Sequence, residues 1–325
     1  MKKVYYLVIM GLATLTLAAC RSTKDQVANQ KDIHVGILQY MEHDSLSLAR
    51  KGFEAELEAE GYKKGKNLTL DYQNAQGDQS NLQTISEQLI SKNDLILAIA
   101  TPAAQSLATV STETPVVFTA VTDPLSADLV DSIKKPGGLI TGTSDQAPID
   151  KQIDLLGQAL PEAKRIGILY TTSERNSEVQ VNEAEKLMIK AGYQVVKKGI
   201  SSSNDVQDAA NSLMKDVDAI FVPTDNTVAS TMTMLGELSI ANQVPIIGGS
   251  TDMVDAGGLL TYGTNYESLG KQVGKMAVKI LKGEKPANLA VEHPKTVELH
   301  INQEMAKALN IDVSQLTADL ESYYH

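Results

Sequence analysis

The sequence has no tryptophan, only three phenylalanines and a single cysteine, Cys20. One cysteine excludes a disulfide framework and a cysteine-based metal site. The missing tryptophan removes the flat platform on which sugar rings stack, which argues against a sugar ligand. Histidines are few and scattered, at His34, His43, His293, His300 and His325. No HExxH or paired-histidine spacing occurs, so no metal site is expected. GxSxG, a P-loop and a glycine-rich dinucleotide fingerprint are also missing, so neither catalytic residues nor a cofactor is expected. Positive charge is short: 29 Lys and Arg stand against 40 Asp and Glu, a net −11. Such a chain does not track phosphate backbones, so nucleic acid is not an expected partner.

What is present begins at the N-terminus. Lys2 and Lys3 precede an uncharged, mostly apolar stretch from Val4 to Ala19. That stretch is too short for a comfortable membrane span and reads as an export signal. It ends Leu17-Ala18-Ala19-Cys20, small residues followed at once by the lone cysteine. The spacing resembles the bacterial lipobox, in which the thiol is acylated and becomes the mature N-terminus. Residues 1–20 are therefore read as a lipoprotein signal peptide with lipidation at Cys20, and residues 21–31 as a polar tether. A repressor is excluded by the export signal and by the lack of a DNA-reading headpiece.

Beyond the tether, apolar strands alternate with amphipathic helices. Ile33 to Leu38 reads as a buried strand, Ser47 to Glu60 as a helix closed by Gly61, and Asp94 to Ala100 as a buried apolar run. The second half repeats the first in order. Gly36 recurs as Gly167, Gly61-Tyr62 as Gly192-Tyr193, Thr114-Pro115-Val116-Val117 as Val244-Pro245-Ile246-Ile247, and Thr122-Asp123 as Thr251-Asp252. This order implies two similar α/β lobes, each a doubly wound parallel sheet. The likeness of Gly137–Thr143 to Gly257–Gly263 suggests two adjacent crossover strands. A third crossing at Ala290–Leu299 completes a three-strand hinge. The expected lobes are 32–143 with 265–289, and 144–264 with 290–325.

In open parallel sheets a ligand sits beyond the carboxyl ends of the strands, where helix N-termini converge. The corresponding loops supply Gln39, Tyr40 and His43; Thr101, Pro102 and Ala103; and Thr122 with Asp123. From the second half come Ser173, Asn176 and Ser177; Thr224, Asp225 and Asn226; and Ser250. Asp145 and Tyr266 stand at the crossovers. Thr101 has the look of an N-cap with Pro102 at the first helical position. His43 reads as a cap or a ligand contact. Asp225 lies one step past the place of an N-cap threonine, so its carboxylate is expected to be free to pair with an ammonium. Short hydroxyl, amide and carboxylate groups of this kind suit a zwitterion.

Gln39–His43, Tyr72–Asp78, Ala100–Pro102, Thr122–Pro124, Thr143–Asp145, Val222–Thr227 and Tyr262–Tyr266 together resemble the ABC-transporter substrate-binding family that includes tryptophan and tyrosine binders of Gram-positive bacteria. The resemblance covers nearly all of the mature chain. It implies a type I periplasmic-binding fold, an aromatic amino acid as ligand, and a permease with its ATPase as partners of a monomeric lipoprotein outside the cytoplasm. Another solute on the same scaffold (a branched-chain amino acid, a purine nucleoside or an autoinducer) is the alternative. Two acyl chains hold a protein stably at a membrane, each methylene contributing roughly 0.8 kcal/mol. Cys20→Ser is therefore expected to move the protein from the membrane to the soluble fraction on cell fractionation.

Overall fold

The structure, a computed structural model, describes residues 32–316. The signal peptide, Cys20, the tether and residues 317–325 lie outside the described residues. The first half runs β1 (Ile33–Gln39), α1 (Asp44–Ala59), β2 (Leu68–Asn74), α2 (Gln79–Ile90), β3 (Leu95–Ile99), α3 (Thr101–Val110), β4 (Val116–Val121) and β5 (Ile140–Ser144). These strands form one parallel sheet in the order β2-β1-β3-β4-β5. Helix α1 begins three residues earlier than the sequence suggests, because His43 is extended (φ −161°) and Ser45 and Leu46 are already buried in the first turn.

The second half runs α4 (Ile149–Ala159), β6 (Arg165–Thr171), α5 (Arg175–Lys190), β7 (Gln194–Ile200), α6 (Val206–Leu213), β8 (Ala219–Phe221), α7 (Asn226–Ala229), α8 (Met232–Asn242), β9 (Ile246–Ile247), α9 (Thr251–Asp255) and β10 (Leu260–Thr264). Then come α10 (Tyr266–Leu281), β11 (Val297–Ile301) and α11 (Gln303–Ala308). Its sheet is ordered β11-β10-β9-β8-β6-β7, parallel except for the β10–β11 pair. Strand for strand, β7-β6-β8-β9-β10 repeats β2-β1-β3-β4-β5.

Period-two alternation explains why the central strands are apolar throughout. In β3, Leu95, Leu97 and Ile99 join the core under α1 and α10, while Ile96 and Ala98 join the core under α2 and α3. In β8, Ala219 and Phe221 face the α4, α5 and α11 side, and Ile220 faces α6 and α8. Both helix-ending glycines take φ +94°. Tyr62 N–H bonds the Leu57 carbonyl and Tyr193 N–H the Met188 carbonyl, the same helix-terminating motif in both halves.

The crossovers differ in one respect from the sequence reading. Strands β5 and β10 are not partners; each occupies the equivalent place in its own sheet. What lies beside β5 is the third crossing, where Glu292 bonds Gly142 and Ser144 through the backbone. Beyond it, 297–301 is already β11 of the second sheet.

After β10 the chain returns to the first sheet as α10, which lies against α1. Two glycines permit the approach. A Cβ on Gly52 would overlap the Glu267 carbonyl oxygen, and one on Gly270 would overlap that of Ala49. In an isolated helix Gly270→Ala would gain about 1 kcal/mol of propensity. Here overpacking against backbone is expected to reverse the sign, to a loss of about 1–3 kcal/mol. The check is a lowered urea midpoint at unchanged slope.

Candidate functional site

The carboxyl ends of the two sheets face each other across a narrow gap with a cavity of about 20 Å³, room for little more than one water. The first half contributes His43, Ser45, Leu46, Ala120 and Thr122. The second contributes Asn176, Thr224, Asp225, Asn226, Ala229, Ser250 and Met253. Asp145 and Tyr266, each at a crossover, complete the lining. The walls meet through short polar contacts. His43 Nε2 lies 3.3 Å from Asn226 Oδ1, Ser45 Oγ 3.4 Å from Ser250 Oγ, and Thr122 Oγ1 3.4 Å from Thr224 Oγ1. Gln180 Nε2 donates to Thr122 Oγ1 at 3.1 Å and also to Thr224.

Three buried carboxylates surround this gap, and their partners separate them. Glu174, 2% exposed, accepts from Asn226 N–H (3.0 Å) and Thr227 N–H (2.9 Å), and from the side chains of both residues. Asp225 is itself the N-cap of α7, taking Val228 N–H at 2.9 Å. Thr171 N–H (2.6 Å), Thr171 Oγ1 (2.8 Å) and Ser177 Oγ (2.7 Å) fill its other positions. Burial, then the charge of Glu174, raises its pKa to about 7. Its carboxylate is therefore occupied, not free as the loop sequence suggests.

Asp145 is different. It is 3% exposed, and one oxygen accepts from the Tyr266 hydroxyl. The other, Oδ1, is buried with no hydrogen-bond partner. Burial raises its pKa, while the bonds from Tyr266 and Thr122 oppose the rise. Such an orphaned oxygen beside an empty gap calls for a donor.

The chain matches the ABC transporter substrate-binding protein family over residues 34–318. It belongs to that family. It is 39% identical to the tyrosine-binding protein of Clostridioides difficile, over 99% of this chain and 96% of that one. Among solved structures, it is similar to the ABC domain in complex with L-Trp from Streptococcus pneumonia. The two are 40% identical with a TM-score of 0.84, over 88% of this chain and 97% of that one. A ligand-free, open substrate-binding protein from Clostridium difficile is also 40% identical, over 89% of this chain and 97% of that one, with a TM-score of 0.67.

In this substrate-binding protein the gap gathers His43, Thr122, Asp145, Asn176, Thr224, Asp225, Asn226, Ser250 and Tyr266 from the expected set. Other residues of that set are not in its lining, although Tyr40, its pKa raised chiefly by burial, also feels the charges of Glu174 and Asp225 on the opposite wall. Gln39 is buried and bonds Met41 and Glu42, and Tyr40 reaches Gly77. Asp123 caps its own turn at Leu125 and Ser126, Ser173 is exposed, and Ser177 serves Asp225. Thr101, Pro102 and Ala103 form the first turn of α3. Ala100 holds the N-cap position at φ +83°, so Thr101 is the first helical residue and Pro102 the second. His43 occupies the N-cap position of α1 without a side-chain cap bond and points to Asn226 instead. Ser45, Leu46, Ala120, Ala229 and Met253 line the gap without having been singled out. A search for polar loop residues passes over most of them.

Where α1 meets α9, Ser45 bonds Asp252, whose Oδ2 has no partner. Burial, with Asp255 and Asp44 adding negative charge, raises its pKa to about 6. An unfolded aspartate titrates near ~3.9. Between those values the folded state holds a proton that the unfolded state has released, so stability falls as pH rises from 4 through 6. Asp252→Asn is expected to flatten that part of the melting-temperature profile and to raise the melting temperature at pH 7.5.

Proposed function

We propose that the protein captures a zwitterionic amino acid, aromatic in its side chain, between the two lobes and hands it to an ABC permease while held outside the cytoplasm by a lipid on Cys20. The observation that carries this reading is the buried, half-satisfied carboxylate of Asp145. An α-ammonium supplies the missing donor with matching charge. For the ligand carboxylate, no Lys or Arg lines the gap. The first turn of α1, with Ser45 and Leu46 at the gap, offers backbone N–H groups at the positive end of a 16-residue helix, and Ser250 adds a hydroxyl. Leu46, Ala120, Ala229 and Met253 leave an apolar share of the lining for the side chain. The C. difficile relative named for tyrosine and the S. pneumonia structure with L-Trp favour an aromatic one.

Capture requires movement, since the empty space is narrow and the walls touch. The lobes in this proposal are 32–143 with 265–289, and 144–264 with 290 onward, turning about the three crossings. Parting them breaks the His43–Asn226, Ser45–Ser250 and Thr122–Thr224 contacts. A ligand closes the lobes only to the extent that it binds the closed form better, so contacts from both walls are needed. The higher similarity to the L-Trp complex than to the open, ligand-free relative supports reading the present geometry as the closed form.

Calorimetry with tyrosine, tryptophan and phenylalanine tests the assignment, alongside the same acids without their amino group. The amino acid is expected to bind and its deaminated counterpart not to bind. Asp145→Asn is expected to weaken binding tenfold or more, because a charge-assisted hydrogen bond contributes about 1.5–3 kcal/mol. Equal affinity in wild type and variant would remove Asp145 from the ligand site.

A further inference from the structure

One side chain crosses the gap without lining it. Gln180, on α5, is 1% exposed and is not part of the lining, yet it reaches Thr122 of the first half. A backbone bond settles which way its amide faces. Thr224 N–H can only donate, and it donates to Gln180 Oε1 at 3.1 Å. The NH2 group therefore faces the two hydroxyls, donating to Thr122 Oγ1 at 3.1 Å and also to Thr224 Oγ1.

That orientation decides where the Thr122 hydrogen goes. A hydroxyl has a single hydrogen, and its oxygen can accept from a donor aimed at it. With Gln180 donating to the oxygen, the hydrogen is left for an acceptor, and Asp145 is the carboxylate that Thr122 bonds. Thr224 Oγ1 also accepts from Gln180, so its own hydrogen is free to point at Thr122 Oγ1, 3.4 Å away. Thr122 is buried, and its carbonyl takes the Ser144 hydroxyl at 2.8 Å, which fixes its backbone beside Asp145. The donors thus run one way, from Gln180 in the second half, through Thr122 in the first, to Asp145 at the crossover.

We infer, on the reading of Asp145 as the ammonium site, that Gln180 is a positioning residue for ligand capture: as the lobes close, its amide turns the Thr122 hydroxyl onto Asp145 and readies that carboxylate for the ligand ammonium. Each bond in a run of aligned donors polarises the next. A hydroxyl that donates also favours the charged form of Asp145, against the burial that disfavours it. With the lobes parted, the amide is gone from Thr122, its hydroxyl turns to water, and Asp145 loses an oriented donor. The ammonium site is thereby completed by the act of closing, so that ligand contact and closure reinforce each other.

The test is calorimetry and stopped-flow binding on the full chain, comparing wild type, Gln180→Met, Asp145→Asn and the double variant. Gln180→Met is expected to weaken tyrosine, tryptophan and phenylalanine by one common factor of about fivefold, the worth of a neutral hydrogen bond made to the protein and not to the ligand. The loss is expected in the dissociation rate with association unchanged, because the relay is assembled only on closure. In the Asp145→Asn background the same substitution is expected to cost no more than about twofold, since the group it acts through is gone. A purely structural role makes the two losses multiply in full, and that result overturns the inference. Thr122→Val, which removes the hydroxyl and keeps the shape, is expected to match Gln180→Met, and it carries the same cycle if Gln180→Met does not fold. Wild-type affinity in Asp145→Asn fails the reading of the cleft and the relay with it. Weakened binding in Asp145→Asn with full multiplication fails the relay alone.

Discussion

A carboxylate taken out of water must be met by donors, and the cleft is organised around that requirement. Glu174 and Asp225 are met completely, by the N-terminus of α7 and by the hydroxyls of Thr171, Thr227 and Ser177. They lock β6, α5 and α7 into one rigid wall. Asp145 is met by Tyr266 and Thr122, yet one of its oxygens, Oδ1, has no hydrogen-bond partner. What separates Asp145 from the two framework carboxylates is the number of donors already present, not the residue type.

The hinge depends on a different constraint, the distance between two helix backbones. Gly52 and Gly270 let α10 lie against α1 with no side chain between them. As a result, Tyr266 at the start of α10 is carried to the gap by a helix anchored to the first sheet, although β10 just before it belongs to the second. The residue that orients Asp145 thus stands next to a joint between the lobes.

Much of the fold was legible in the sequence because it is encoded locally. The all-apolar run at Leu95–Ile99 and the paired Gly61 and Gly192 each carry their meaning within a few residues. The duplication made one half a check on the other. Where the reading went astray, the deciding partner was distant in sequence. The donors to Asp225 include Thr171 and Ser177, on a strand and a helix that no inspection of Val222–Thr227 can supply. The likeness of Gly137–Thr143 to Gly257–Gly263 was real but marked equivalent positions in two sheets rather than neighbours. Ser45 was not singled out, and the helix was expected only from Ser47, whereas burial of Leu46, Ala49 and Phe53 draws it back to Asp44 and fixes Ser45 in its first turn.

The contacts that bridge the gap are mostly hydroxyls, amides and one imidazole, and the two carboxylates among them, Asp145 and Asp252, each meet a hydroxyl and not a cation. Every ion pair among the described residues stays on its own side, as Lys282–Glu60 and Lys197–Glu185 do. Dissolved salt screens exposed charges and leaves short neutral hydrogen bonds nearly untouched. The grip of one half on the other is accordingly indifferent to whether the surroundings are dilute or briny, a useful property in a receptor whose surroundings the cell does not regulate.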